Sequence, residues 1–170
     1  MPARTGGSGQ RESRPVNQEA LDNMTRLPVA DFVLHSKPML LPDRVTSLQA
    51  DSAVCEWCVQ DDNVFLVPGL GVPAYIGIEY MAQCIAVHGG ACERANGFPP
   101  PQGLLLGTRH YRSKVPYFVQ GETYQVQCRQ LAASLDGMAS FDCRILKEHE
   151  VIAEGRISVL QKPHGESFDE

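Results

Sequence analysis

No uninterrupted apolar run approaches the roughly 18–20 residues that a helical membrane span needs, so an integral helical membrane protein is not expected. A dense basic cluster is also missing. With 15 Lys and Arg against 20 Asp and Glu, the net charge of −5 argues against a nucleic-acid surface. Arg4, Arg11 and Arg14 stand near the start, but no apolar stretch follows them, so no secretory signal is expected. The six cysteines (Cys55, Cys58, Cys84, Cys92, Cys128, Cys143) include one Cys-x-x-Cys, and no second pair follows at ligand spacing. Residues three apart on a strand face opposite sides, so Cys55 and Cys58 do not share an ion there. The cysteines read as reduced thiols of a cytoplasmic protein. Histidine is absent between His35 and His88, and between Lys37 and Glu93 the only glutamates are Glu56 and Glu79.

What is present fits one domain of 170 residues with a 43% hydrophobic share, enough to bury a core. Residues 1–26 are polar and expected to be a disordered tail, or at most a short docked helix over 18–26. The domain is placed at 27–162, followed by a polar tail at 163–170. Strand-like runs at 40–49 and 53–60 flank the turn Ala50-Asp51-Ser52. A long helix follows within 71–96, with Pro73 suited to its first turn. Ile78, Met81, Ala82, Ile85, Ala86 and Gly89 recur at helical spacing and predict its inward face. Pro99-Pro100-Pro101 forbid its continuation. Strand candidates then fall at 104–115, 123–133, 138–147 and 151–160, with Asp136-Gly137 as a hairpin turn. Two strands, one helix and four more strands make an α+β pattern. Its economical packing is the hot-dog fold: one long central helix wrapped by a curled antiparallel sheet of about five to six strands. Glu79 is the anomaly, a carboxylate inside an otherwise apolar helix that must be solvated, paired or functional.

Three blocks carry a family resemblance. The first is His35-Ser36-Lys37-Pro38-Met39-Leu40-Leu41-Pro42-Asp43-Arg44-Val45. The second is Pro73-Ala74-Tyr75-Ile76-Gly77-Ile78-Glu79-Tyr80-Met81-Ala82-Gln83. The third, a weaker one, runs from Leu105-Leu106-Gly107 through Val115-Pro116 to Gly121-Glu122. Together they resemble the 3-hydroxyacyl-[acyl carrier protein] dehydratases of the hot-dog superfamily, in the branch associated with aryl polyene-type gene clusters.

The resemblance implies a hydro-lyase that removes water from a 3-hydroxyacyl thioester, with His35 as base and Glu79 as acid or water-orienting group. It implies that backbone N–H groups of Ala74, Tyr75, Ile76 and Gly77 polarise the thioester carbonyl and that Gln83 orients Glu79. Arg109, Arg112 and Lys114 would meet the acyl carrier protein or its phosphopantetheine. The implied assembly is a homodimer, or a heterodimer with a related hot-dog subunit. No cofactor or metal is implied. One departure stands out. The common dehydratases carry a catalytic His in a Gly-His-Phe-Pro segment before the helix, and here that position falls on Phe65. Either His35 supplies the imidazole or the chain has lost it. Two other functions stay open on the same scaffold: an acyl thioesterase in which Glu79 activates water, and a non-catalytic partner subunit or acyl-binding protein.

Overall fold

The computed structural model describes residues 15–162 and Phe168. Helix α1 (Gln18–Met24) comes first, capped by the Asn17 side chain, and a single 3-10 turn (Val29–Asp31) follows. Strands β1 (Arg44–Gln49) and β2 (Ser52–Cys58) form the predicted hairpin. The short β3 (Val72–Pro73) leads through a 3-10 turn (Ala74–Ile76) into α2 (Gly77–Ala95). After α2 come β4 (Gly103–Ser113), β5 (Tyr117–Phe118), β6 (Thr123–Ala133), β7 (Met138–Lys147) and β8 (Glu150–Gln161).

The main sheet has six antiparallel strands in the order β1-β2-β6-β7-β8-β4, and β3 pairs with β5 in a separate ribbon. Strands β6, β7 and β8 follow one another as hairpin neighbours, whereas β4 crosses over to pair with β8 at the far edge. Helix α2 touches all six strands, so the sheet wraps it as the hot-dog reading requires.

The tail expected at 1–26 lies partly outside the described residues. Within it, Gln18–Met24 is a docked helix, the second of the two alternatives. Leu21 is fully buried and Gln18 Nε2 donates to the Leu48 carbonyl at 2.9 Å. The tail at 163–170 lies outside the described residues apart from Phe168.

Two details of the central helix differ from expectation. Pro73 pairs with Tyr117 in the ribbon, so the α-helix begins at Gly77, after the 3-10 turn. The predicted inward face is rotated as well. Met81, Ile85 and Gly89 are buried, but Ile78, Ala82 and Ala86 are only half-buried, and the sheet-facing row is Tyr80, Cys84, Val87 and Ala91. Two partners explain this. Tyr80 stacks on Trp57 of β2 with ring centroids 3.8 Å apart, and the Cys84 thiol points at the Ala53 and Val126 carbonyls. These aromatic and thiol groups face the sheet, while the small residues Ala82 and Ala86 face a cavity. Trp57 also packs against Phe118 and Tyr124, anchoring the core beneath the start of α2. Phe65, where the common catalytic histidine would align, is half-buried and packed on this core.

Candidate active site

A strap formed by residues 32–41 lies antiparallel along α2 and carries His35. One end of it is set by close approach to Gly90, where a Cβ would stand 1.8 Å from the Phe32 carbonyl oxygen. The other end is set by Gln83, which is fully buried. Gln83 Oε1 accepts from the Leu41 N–H at 2.8 Å, and its Nε2 donates to the Met39 carbonyl at 2.8 Å. The same Nε2 donates to Glu79 Oε1 at 3.0 Å, one helical turn back. One amide therefore fixes both the strap and the carboxylate.

Between strap, helix and sheet lies a cavity of about 390 Å³. Residues 32–35 form one wall, Glu79, Ala82, Ile85 and Ala86 of α2 a second, and the start of β4 with Val159 and Gln161 of β8 a third. His35 and Glu79 thus line one cavity within a single chain. Nδ1 of His35 is buried and has no hydrogen-bond partner among the described residues. A buried polar atom left in that state marks a place where a ligand, water or partner group completes the structure. The remaining walls are largely apolar, so an imidazole and a carboxyl face a slot suited to an alkyl-like chain.

Other expected site residues lie elsewhere. Ala74, Tyr75, Ile76 and Gly77 do not line this cavity. The Ala74 N–H donates to the Pro116 carbonyl at 2.9 Å, and the Gly77 N–H is bonded back to the carbonyls of Ala74 and Tyr75. The Ala74 carbonyl in turn accepts from the Tyr111 hydroxyl, whose pKa burial pushes up to about 12. The turn before α2 is therefore tied to β4 and the ribbon, and Tyr75 points outward at 69% exposure. Arg109, Arg112 and Lys114 lie toward the far end of β4 from Gly103, roughly 20–35 Å along the strand at about 3.3 Å per residue. Arg112 edges an open depression with Arg144, Arg156, Asp142 and Glu154, and Lys114 Nζ lies 3.7 Å from Glu150 Oε1.

Sequence reasoning missed Phe32, the start of β4, Val159 and Gln161. Phe32 reaches the cavity through the strap's approach to Gly90, and the start of β4 meets Val159 and Gln161 there because β4 crosses over to pair with β8; no local pattern records either.

One helix wrapped by an antiparallel sheet, with an imidazole and a carboxyl lining one largely apolar slot, defines a hot-dog protein. Residues 27–170 match the ApeP-like family, described as ApeP dehydratase, and the chain belongs to that family of dehydratases. A Xenorhabdus doucetiae structure described as the dehydratase heterocomplex ApeI:P is 30% identical, with a TM-score of 0.76, and the match covers 81% of this chain and 93% of that one. An uncharacterized protein from Pyrococcus horikoshii shares the fold at 15% identity and TM-score 0.58, over 79% and 93% of the two chains. So does a hypothetical thioesterase from Streptococcus pneumoniae solved with coenzyme A, at 9% identity and TM-score 0.53, over 70% and 84%. No curated protein sequence matches the chain. The enzyme class is hydro-lyase. No helix among the described residues is long and apolar enough to cross a membrane.

Proposed function

We propose that the chain eliminates water from a 3-hydroxyacyl thioester carried by an acyl carrier protein, in a cytoplasmic secondary-lipid or aryl polyene-type pathway. The observation that carries this reading is the shared cavity of His35 and Glu79. His35 takes the C2 proton, Glu79 gives a proton to the departing hydroxyl, and the products are a trans-2-enoyl thioester and water. The proton then returns from His35 to Glu79 through solvent. Gln83 holds Glu79 in place through its 3.0 Å bond. The six unpaired cysteines suit a reducing compartment.

The reading includes a second hot-dog subunit, either another copy or a related chain. β4 ends the sheet order, and Leu104, Leu105 and Leu106 on it are exposed at 44–48%. An unpaired edge with exposed leucines is a template for strand addition. A counterpart strand pairing antiparallel there would bring its far end beside Gly103 and Leu105 at this cavity. The partner's equivalents of Arg109, Arg112 and Lys114 would then flank the mouth, where an acidic carrier protein would dock. The outward Tyr75 likewise leaves the start of α2 facing a partner; with the Ala74 and Gly77 N–H groups already bonded, those of Tyr75 and Ile76 are the ones that would serve the thioester in the assembled pair.

The test is conversion of a 3-hydroxyacyl carrier-protein thioester by the purified chain, alone and with a related hot-dog subunit. Formation of the enoyl thioester is expected. Release of free thiol would favour a thioesterase. An absence of turnover at every concentration, relieved only by an active second subunit whose own histidine proves essential, would make this chain the non-catalytic partner that the Phe65 position allows.

A further inference from the structure

The cavity has a second polar station. Glu79 stands near one end of the helical wall. About 15 Å further along α2, at about 1.5 Å per residue, Gly89 packs under the side chain of Gln161. A Cβ on Gly89 would stand 2.2 Å from Gln161 Nε2 and 3.2 Å from its Cδ, so the carboxamide presses its nitrogen against bare helix backbone. Glycine inside a helix is unfavourable relative to alanine, and the space it leaves here is occupied by this amide.

The backbone of Gln161 is fixed from two sides. Its N–H donates to the Gly137 carbonyl at 2.9 Å, and the next residue's N–H donates to the Gln102 carbonyl at 3.0 Å. Gly137 has φ +92°, and a Cβ there would lie 2.1 Å from the Gln161 carbonyl oxygen, so this turn is held close to the end of β8. The Gln161 carboxamide itself lines the cavity and makes no hydrogen bond among the described residues. Gln102, the other amide on this wall, differs, since its Oε1 accepts from the Phe168 N–H.

We propose that Gln161 is a specificity-determining residue: it closes the acyl slot against Gly89 and selects chains whose far end carries a hydrogen-bonding group over plain alkyl chains of equal length. This rests on the cavity being the acyl site proposed above. An alkyl tail reaching Gln161 strips water from an amide that has no protein partner, whereas a terminal hydroxyl replaces that water.

The test uses unreactive amide-linked pantetheine analogues bearing dodecanoyl, ω-hydroxydodecanoyl or butyryl chains, titrated calorimetrically into the full chain. The ω-hydroxy probe is expected to bind roughly fivefold to tenfold tighter than dodecanoyl, the worth of one neutral hydrogen bond. Gln161→Leu is expected to remove or invert that ratio. Gly89→Ala, which drives the amide into the slot, is expected to weaken both long probes relative to butyryl. Equal binding of the two long probes to the wild-type chain, an unchanged ratio in Gln161→Leu, or no binding of any probe overturns the proposal. Turnover of a 3-hydroxybutyryl thioester by the wild-type chain reports separately on the dehydratase reading, because it does not reach Gln161.

Discussion

Replacing Gln83 with leucine would disconnect the strap from the helix without leaving a large void, because the two side chains are close in volume. Three hydrogen bonds go: to the Leu41 N–H, the Met39 carbonyl and the Glu79 carboxylate. Leu41 is 6% exposed, so its N–H would stay buried without a partner, at a cost of about 1–3 kcal/mol. Met39 is 44% exposed, so its carbonyl can turn to water and adds little. Glu79 keeps access to the cavity and adds a few tenths of a kcal/mol at most. We therefore expect Gln83→Leu to lose about 2 kcal/mol, equivalent to about 4–8 °C in Tm for a domain of this size. Trp57 is the only tryptophan and sits 1% exposed in the core, so its fluorescence follows urea unfolding directly. Hydrogen exchange at the Leu41 amide should accelerate ahead of neighbouring core amides. Stability within about 0.5 kcal/mol of wild type, together with unchanged Leu41 protection, would refute the clamp.

Three further outcomes are expected. Gly90→Ala should destabilise the protein by about 1–3 kcal/mol despite the better helix former, because the new Cβ meets backbone at Phe32; thermal melts decide, and a stabilised variant contradicts the strap's position. Burial holds the pKa of His88 below its usual value, with the Ala50 carbonyl and Asp51 offsetting part of that. The folded chain therefore stays neutral at His88 while the unfolded chain takes up a proton below about 6.5, so stability falls as pH drops through that value. His88→Asn should flatten this part of a stability–pH curve, and an unchanged slope would assign it elsewhere. Burial also raises the thiol pKa values of Cys84 and Cys143, and that of Cys92 to about 11. Alkylation of the native protein at neutral pH should therefore spare these three and reach them only after unfolding, as mass mapping would show.

Much of the fold is legible in the sequence because alternation and turn chemistry act locally. The strands at 123–133 and 138–147 appear where Tyr124-Val126-Cys128 and Phe141-Cys143-Ile145 alternate. The face of α2 was less legible. Small residues serve equally for sheet contact and for lining a cavity, so Ala82 and Ala86 read as core although they face the slot. At the site, His35, Glu79 and Gln83 were marked by their motifs. The committed state of the Ala74 and Gly77 amides depends on Pro116 and the 3-10 turn, and helix periodicity does not encode either. The proposed role of Gln161 depends on a strand crossover and on Gly89, which lies beyond the end of the motif at Gln83.

The central claim is that His35 and Glu79 together perform the elimination, and turnover of a 3-hydroxyacyl carrier-protein thioester by His35→Ala and Glu79→Gln tests it most directly. Each variant should fold with wild-type circular dichroism and lose roughly 10²–10⁴-fold in rate, the usual worth of a positioned acid or base. Near-wild-type rates in both variants would contradict the account.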